Sequence, residues 1–162
     1  MSAEDDVRVV KFAPEYAKAF AELNYQWIEH YFVIEEHDRE MLDDPAEYII
    51  NRGGEIFTAV VADTPVGAVA MIKASDRTFE LAKMAVSPDH QGRGIGDKLI
   101  AACIAHAREQ GATKIFLLSN TLLTPAIELY KKHGFVEVPL DERSAYERVN
   151  IRMELALNTS KL

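Results

Sequence analysis

The chain has 162 residues, 48% of them hydrophobic, and carries 26 acidic against 18 basic side chains, a formal net charge of −8. That length suits one domain, residues 1–162 with a core over 7–157, large enough to bury most of its apolar surface. The acidic balance argues against a nucleic-acid-binding surface, no apolar run approaches the roughly 20 residues that span a bilayer, and a single cysteine excludes an internal disulfide and suits a reducing cytoplasm.

The first twelve residues are acidic and then strand-like, so no signal peptide is expected there. Val7 to Phe12 predicts a short strand. Pro14 can open a helix, and Tyr16, Phe20, Leu23, Trp27 and Tyr31 follow at helical spacing. From Tyr16 to Trp27 this stripe reads as core packing. Beyond it, Tyr31-Phe32-Val33-Ile34-Glu35-Glu36-His37-Asp38 mixes aromatic rings with carboxylates just where the periodicity fades. Asp44-Pro45-Ala46-Glu47 combines an N-cap, a first-turn proline and a capping-box glutamate, predicting a helix over about 45–52 that stops at Gly53-Gly54. Ile56 to Ala62 and Val66 to Lys73 predict antiparallel strands joined by a turn at Asp63-Thr64-Pro65. A second turn over 74–78 leads into the strand Phe79 to Val86, which Ser87-Pro88-Asp89 ends.

Next comes Gln91-Gly92-Arg93-Gly94-Ile95-Gly96-Asp97, followed by Leu99, Ile100, Cys103, Ile104 and Ala107 on one helical face, with Gly111 as the C-terminal glycine. Strand, glycine-rich loop and helix in that order present the helix's first N–H groups, and the positive end of its dipole, to open space. Such a loop reads either as a phosphate cradle or, taken alone, as a surface turn that happens to be glycine-rich. It is not the dinucleotide fingerprint G-x-G-x-x-G, which would need glycine at 97 or 99, where Asp97 and Leu99 stand; nor is it a P-loop, since Gly-Lys-Ser/Thr is absent. Cys103 lies on the apolar face and reads as a buried thiol.

The nearly all-apolar Lys114 to Ser119 predicts a buried strand parallel to 79–86, because a full helix crosses between them. Asn120 to Leu123 is a loop, Thr124 is expected to cap the next helix and Pro125 to start it, and His133-Gly134 ends it. A strand over 135–138, a charged loop over 139–148 and an alternating last strand from Val149 to Leu155 complete the pattern, with a frayed tail at 158–162. The five histidines show no ligand spacing and no H-E-x-x-H, so no metal is expected. G-x-S-x-G is also absent, which disfavours serine acyl chemistry.

Gln91-Gly92-Arg93-Gly94-Ile95-Gly96 after Met84-Ala85-Val86-Ser87-Pro88 resembles the acetyl-CoA motif of the GNAT N-acetyltransferase superfamily. Leu129-Tyr130-Lys131-Lys132-His133-Gly134-Phe135 resembles that family's later aliphatic-Tyr-x-x-x-Gly-Phe pattern. The resemblance implies an α/β (α+β) fold: a mixed, mostly antiparallel sheet of about six or seven strands, about four helices, and a parallel strand pair splayed around the cofactor. It implies acetyl-CoA as cosubstrate, held by main-chain N–H groups of Gly92 to Asp97 (Gly92, Arg93, Gly94, Ile95, Gly96, Asp97), with Arg93 and Gln91 adding side-chain contacts. Asp97 is expected to turn its carboxylate away. By the same resemblance Met84, Ala85 and Val86 pair with the pantetheine arm, an N–H of Ala85 or Val86 polarises the thioester carbonyl, and the Asn120 amide meets the arm.

Tyr130 in this setting is expected to stabilise or protonate the departing thiolate, whose conjugate acid has a pKa of roughly 8.5. An aliphatic amine, with a pKa of about 10.4, needs a base before it can attack. Glu80, at an offset resembling the glutamate base of protein-acetylating members, is the candidate, with Glu35 and Glu36 behind it. The segment joining the first two helices closes over the acceptor in that family, which points to Tyr31, Phe32, Glu35 and His37 as acceptor contacts. The expected activity is transfer of acetyl from acetyl-CoA to a primary amine of a small molecule by direct attack, in a cytoplasmic protein that can form a homodimer. An acetyltransferase of protein or peptide amines and a non-catalytic acyl-CoA-binding module are the alternatives.

Overall fold

The computed structural model describes residues 6–140 and 147–157. The expected tail at 158–162 and the middle of the charged loop expected over 139–148 lie outside the described residues. Seven strands form one sheet: β1 (Val7–Lys11), β2 (Glu55–Val61), β3 (Thr64–Ser75), β4 (Thr78–Val86), β5 (Lys114–Ser119), β6 (Val136–Val138) and β7 (Ile151–Ala156). Their order is β1-β2-β3-β4-β5-β7-β6, and every pair is antiparallel except β4 and β5. The helices are α1 (Ala17–Tyr31), α2 (Glu36–Asp43), α3 (Pro45–Tyr48), α4 (Ile95–Glu109) and α5 (Thr124–Lys132). This is the mixed architecture expected, with a fifth helix.

Strand alternation sorts side chains onto two faces, each with its own core. On one face Val69, Met71, Phe79, Leu81, Ile115, Leu117 and Met153 pack against Leu99, Ile100, Cys103 and Ala107 of α4 and against Ile127 and Tyr130 of α5. On the other, Ile56, Ala68 and Ala70 pack against Phe20 and Ile28 of α1, Met41 and Leu42 of α2, and Ile49. Cys103 is fully buried, and burial pushes its thiol pKa up. Helix α4 therefore anchors its N-terminus at the C-terminal end of β4 by inserting its apolar stripe into the larger core.

Several local expectations are corrected. Pro14 opens a 3-10 turn, Pro14–Tyr16, and the α-helix begins at Ala17. The β2–β3 hairpin turns at Ala62 and Asp63, whose φ angles are 49° and 66°, so Thr64 and Pro65 belong to β3. Pro65 is tolerated because it stands at the strand's start, beside a register shift at Ala59/Val60. The helix expected over about 45–52 divides into the short α3 and a 3-10 turn. Thr124 is the first residue of α5 rather than its cap, which is Leu123. The last strand starts at Ile151 rather than Val149.

The larger omission is α2. Its residues are mostly charged, and its apolar contribution to the core is only Met41 and Leu42, so hydrophobic periodicity is weak there. The signal present was the spacing Glu35-x-x-Asp38: the Glu35 N–H donates to the Asp38 carboxylate at 2.8 Å and starts the helix.

Candidate active site

Parallel strands β4 and β5 pair only at Thr78/Lys114, Phe79/Ile115 and Glu80/Phe116. Beyond that point β4 stays with β3 as far as Val86, while β5 stays with β7 as far as Ser119. The sheet therefore opens into a wedge between Lys83–Val86 and Leu117–Ser119. A bulge sharpens it. Ala85 faces Ala68 whereas Ala82 faces Ala70, so β4 carries one extra residue, and Lys83 adopts a φ of 56°. A non-glycine residue held in this conformation costs of order 1 kcal/mol, which the surrounding structure must supply.

The ladder also decides which backbone groups face the wedge. Ser87 N–H donates to the Val66 carbonyl at 2.7 Å, so the antiparallel alternation turns the N–H and C=O of Val86 away from β3 and toward the opening. The Val86 carbonyl accepts from Gln91 Nε2 at 3.1 Å, tying the end of the strand to the loop that follows.

In that loop Gly92 and Gly94 have φ angles of 78° and 80°, the left-handed region that side chains disfavour. A Cβ at either would meet nothing within 4 Å, so both face open space. Gly94 is the N-cap of α4, and its carbonyl takes the first helical bond from Lys98. The N–H groups of Ile95, Gly96 and Asp97 accordingly have no intrahelical acceptor. Gly96 is small for a different reason: a Cβ there would lie 2.8 Å from Leu129 Cδ2, where α4 meets α5. The Asp97 carboxylate bonds Lys132 Nζ at 3.0 Å and His133 Nε2 at 2.8 Å, and these bonds hold its pKa below the usual carboxylate range. The first turn of α4 thus keeps its amides available while its one acidic side chain is drawn to the end of α5.

A cavity of about 610 Å³ runs from this loop through the wedge to the far face of the sheet. Tyr130 enters it from the α4–α5 face, next to Phe135 at 6.1 Å between ring centroids. Burial and the neighbouring Cys103 push its phenol up to about 12, so it stays protonated at physiological pH. No hydrogen bond from another side chain engages that hydroxyl among the described residues.

Glu80 enters from the opposite face, because Phe79 and Leu81 on either side of it point into the α4 core. Burial raises its pKa, opposed by the nearby charges of Lys83, His37 and Arg152. A carboxylate with a raised pKa in a wedge-lining position is equipped to take up a proton.

Beside Glu80 lies an ion cluster. Asp38 of α2, completely buried, accepts from Lys83 Nζ and from both terminal nitrogens of Arg148, at 2.7 and 3.0 Å. Burial alone would raise the Asp38 pKa, but the bonds from Arg148, Lys83 and the Glu35 N–H outweigh it and hold the carboxyl at about 2. Burial lowers the Lys83 pKa against the pull of Asp38. Arg148 also reaches Glu35 at 3.5 Å. The cluster joins α2, the β4 bulge and the segment before β7.

Of the residues singled out from sequence, the cavity wall includes Tyr31, Phe32, His37, Glu80, Met84, Ala85, Val86, Gln91, Gly92, Gly94, Ile95, Gly96, Asp97, Asn120 and Tyr130. Arg93 is exposed outside that wall, and Glu35 stands behind it, bonded to Arg148. Asn120 lines the cavity with its amide bonded to protein: Nδ2 donates to the Arg148 carbonyl at 2.6 Å and Oδ1 accepts from Leu122 N–H at 2.8 Å. Asp38, Lys83, Arg148 and Trp27 are among the wall or support residues that sequence reading did not single out. Trp27 belonged to a stripe read as core. Lys83 was visible only as a lone cation within an otherwise apolar strand end.

Splayed parallel strands, an unoccluded glycine loop at a helix N-terminus and a through-sheet cavity together define the class of fold that the comparisons with known proteins identify. The model of the acetyltransferase (GNAT) family matches residues 21–135, and the chain belongs to that family. Rat N-acetyltransferase 8 is 30% identical over 101 residues, covering 59% of this chain and 46% of that protein. The uncharacterized N-acetyltransferase YvbK of Bacillus subtilis is 30% identical over 102 residues, covering 61% of this chain and 66% of that one. The chain spans about half the length of the first of these relatives. Among solved structures, a GNAT-family acetyltransferase from Staphylococcus aureus superposes with a TM-score of 0.84 at 20% identity, covering 94% of this chain and 99% of that one. A PaiA N-acetyltransferase from Thermoplasma acidophilum in complex with coenzyme A gives 0.76 at 17% identity, covering 97% and 100%.

Proposed function

We propose that the protein transfers an acetyl group from acetyl-CoA to the primary amine of a small molecule by direct attack. The observation that carries this reading is the wedge itself, which connects an open main-chain anion cradle to Glu80 on one face of the sheet and Tyr130 on the other.

The cradle residues fit a diphosphate: amides of Ile95, Gly96 and Asp97 lack helical acceptors, and nothing crowds Gly92 or Gly94. The exposed Arg93 would add charge at its edge. Acetyl-CoA supplies a thioester carbonyl that an amine can attack. The Val86 N–H, directed into the wedge, is placed to polarise that carbonyl. Glu80 takes the proton from the incoming ammonium. Nitrogen then bonds to the carbonyl carbon, the carbon–sulfur bond breaks, and the electron pair leaves on sulfur. The acylated nitrogen still carries a second proton, which passes through Tyr130 to the thiolate, so that Tyr130, neutral up to about pH 12, ends the step neutral. No covalent enzyme intermediate is needed, because holding both reactants in one cavity supplies much of the acceleration.

The test pairs thiol release from acetyl-CoA, screened against amines, with calorimetry on Gly94→Glu. The wild type is expected to bind acetyl-CoA and release thiol in an amine-dependent way. The variant is expected to remain folded and show no measurable binding. Unchanged affinity in Gly94→Glu would remove the cradle from the reaction.

A further inference from the structure

The far end of the cavity is walled differently from the cradle. Trp27, Tyr31 and Phe32 contribute rings in mutual contact, with centroids 5.2 Å apart for Trp27–Tyr31, 6.4 Å for Trp27–Phe32 and 6.3 Å for Tyr31–Phe32. Ile28, Met41 and Ile72 extend this apolar wall. Tyr31 is 50% exposed and the neighbouring Val33 is 78% exposed, so the apolar surface continues outward past the mouth. The polar Asn24 in the wall donates its amide to the Phe20 carbonyl.

Among the described residues, the cationic side chains lining this end are already engaged. Lys83 and Arg148 both bond Asp38, Arg148 also bonds Glu35, and the His37 ring pairs with Glu40 at 3.0 Å. The Arg148 guanidinium lies over the Phe32 ring at 5.8 Å. A carboxylate on the acceptor would meet cations that are neutralised and held in place by their own partners. A second ammonium would meet Phe32 with its face already shared by a guanidinium. Glu80 is the one carboxylate lining the wall without such a partner among the described residues, and it suits a single ammonium.

Resting on the acetyl-transfer reading, we infer that the acceptor is a monoamine whose single amino group sits on an apolar, ring-bearing body, and that it is neither a free amino acid nor a polyamine. The amine points at Glu80 and the body lies against Trp27, Tyr31 and Phe32. Rings stack favourably on such a cluster, and desolvating a carboxylate there without a partner is unfavourable.

Trp27 is the chain's only tryptophan, so its fluorescence reports on this wall whether or not turnover occurs. The experiment uses the full chain with acetyl-CoA and compares 2-phenylethylamine with ethylamine, phenylalanine and spermidine, reading both thiol release and Trp27 emission. The expected result is a kcat/KM for 2-phenylethylamine about tenfold or more above each of the others, with saturable Trp27 quenching. Tyr31→Ala, at a half-exposed position, is expected to raise KM for 2-phenylethylamine about tenfold with kcat little changed. Comparable or higher kcat/KM with ethylamine, phenylalanine or spermidine overturns the acceptor class and leaves acetyl transfer standing. Saturable quenching without thiol release upholds a ring-bearing monoamine as the ligand of this wall and overturns acetyl transfer. Neither quenching nor thiol release with 2-phenylethylamine overturns the inference.

Discussion

At the cradle the cavity is walled by main chain from one short stretch, residues 91–97. At the far end it is walled by side chains drawn from α1, α2, β4 and the segment before β7. The cradle depends on two left-handed glycines and a helix start, all local in sequence. The far end depends on Asp38 meeting Arg148 across 110 positions of chain and Lys83 across 45. A site made of backbone can be altered by one side chain in the way and otherwise tolerates change around it. A site made of a buried ion cluster fails when any one member is removed, because the remaining charges stay buried without a partner.

That contrast can be broken most forcefully at Asp38. Asp38→Ala leaves Lys83 and Arg148 facing each other, and a loss of about 3–5 kcal/mol in unfolding free energy is expected by urea denaturation. Acetyl-CoA affinity of the folded fraction should be little changed. A loss below about 1 kcal/mol would mean the cluster is not what ties α2 to the sheet. The pH dependence has a definite sign. The Asp38 carboxyl is held at about 2, below its ordinary value, so its contribution is present above about pH 4 and is lost as pH falls toward 2. The variant should show a flatter stability profile across that window.

Glu80→Gln sharpens the comparison at the point where the two ends meet. Removing a general base is expected to lower kcat about 100-fold with acetyl-CoA binding retained. In the wild type the raised Glu80 pKa places the acidic limb of the kcat/KM profile above the usual carboxylate range, with rate rising as Glu80 ionises. The variant should lose that limb, and an unaltered profile would assign the proton to another acceptor. The smallest effect is expected from Tyr130→Phe: roughly a tenfold drop in kcat with unchanged coenzyme affinity and near-native stability. Wild-type turnover in this variant would return Tyr130 to a packing role beside Phe135.

The strands, the long α4 helix and the glycine loop could be read in the sequence because each rests on interactions a few residues apart: alternation, a 3.6-residue stripe, and glycines where a side chain would be strained. The parallel relation of β4 and β5 followed from the helix between them. The bulge at Lys83 and the end of β4–β5 pairing at Glu80 carry no comparable local mark. Trp27 was assigned to core packing because its spacing matches a buried stripe, and spacing does not distinguish a core from a cavity wall. Helix α2 was missed because the ion cluster and two apolar residues hold it, rather than an amphipathic pattern.

The amino-acid sequence alone determined the order of elements, the glycine loop at the start of α4 and the family, since these follow from short-range geometry and ordered motifs. Tertiary structure alone decided that Glu80 and Tyr130 enter one cavity from opposite faces, that Asp38 joins Lys83 to Arg148, and that three aromatic rings wall the end of the cavity far from the glycine loop. Those relations depend on where distant segments pack, and packing over such separations leaves no periodic trace in the chain.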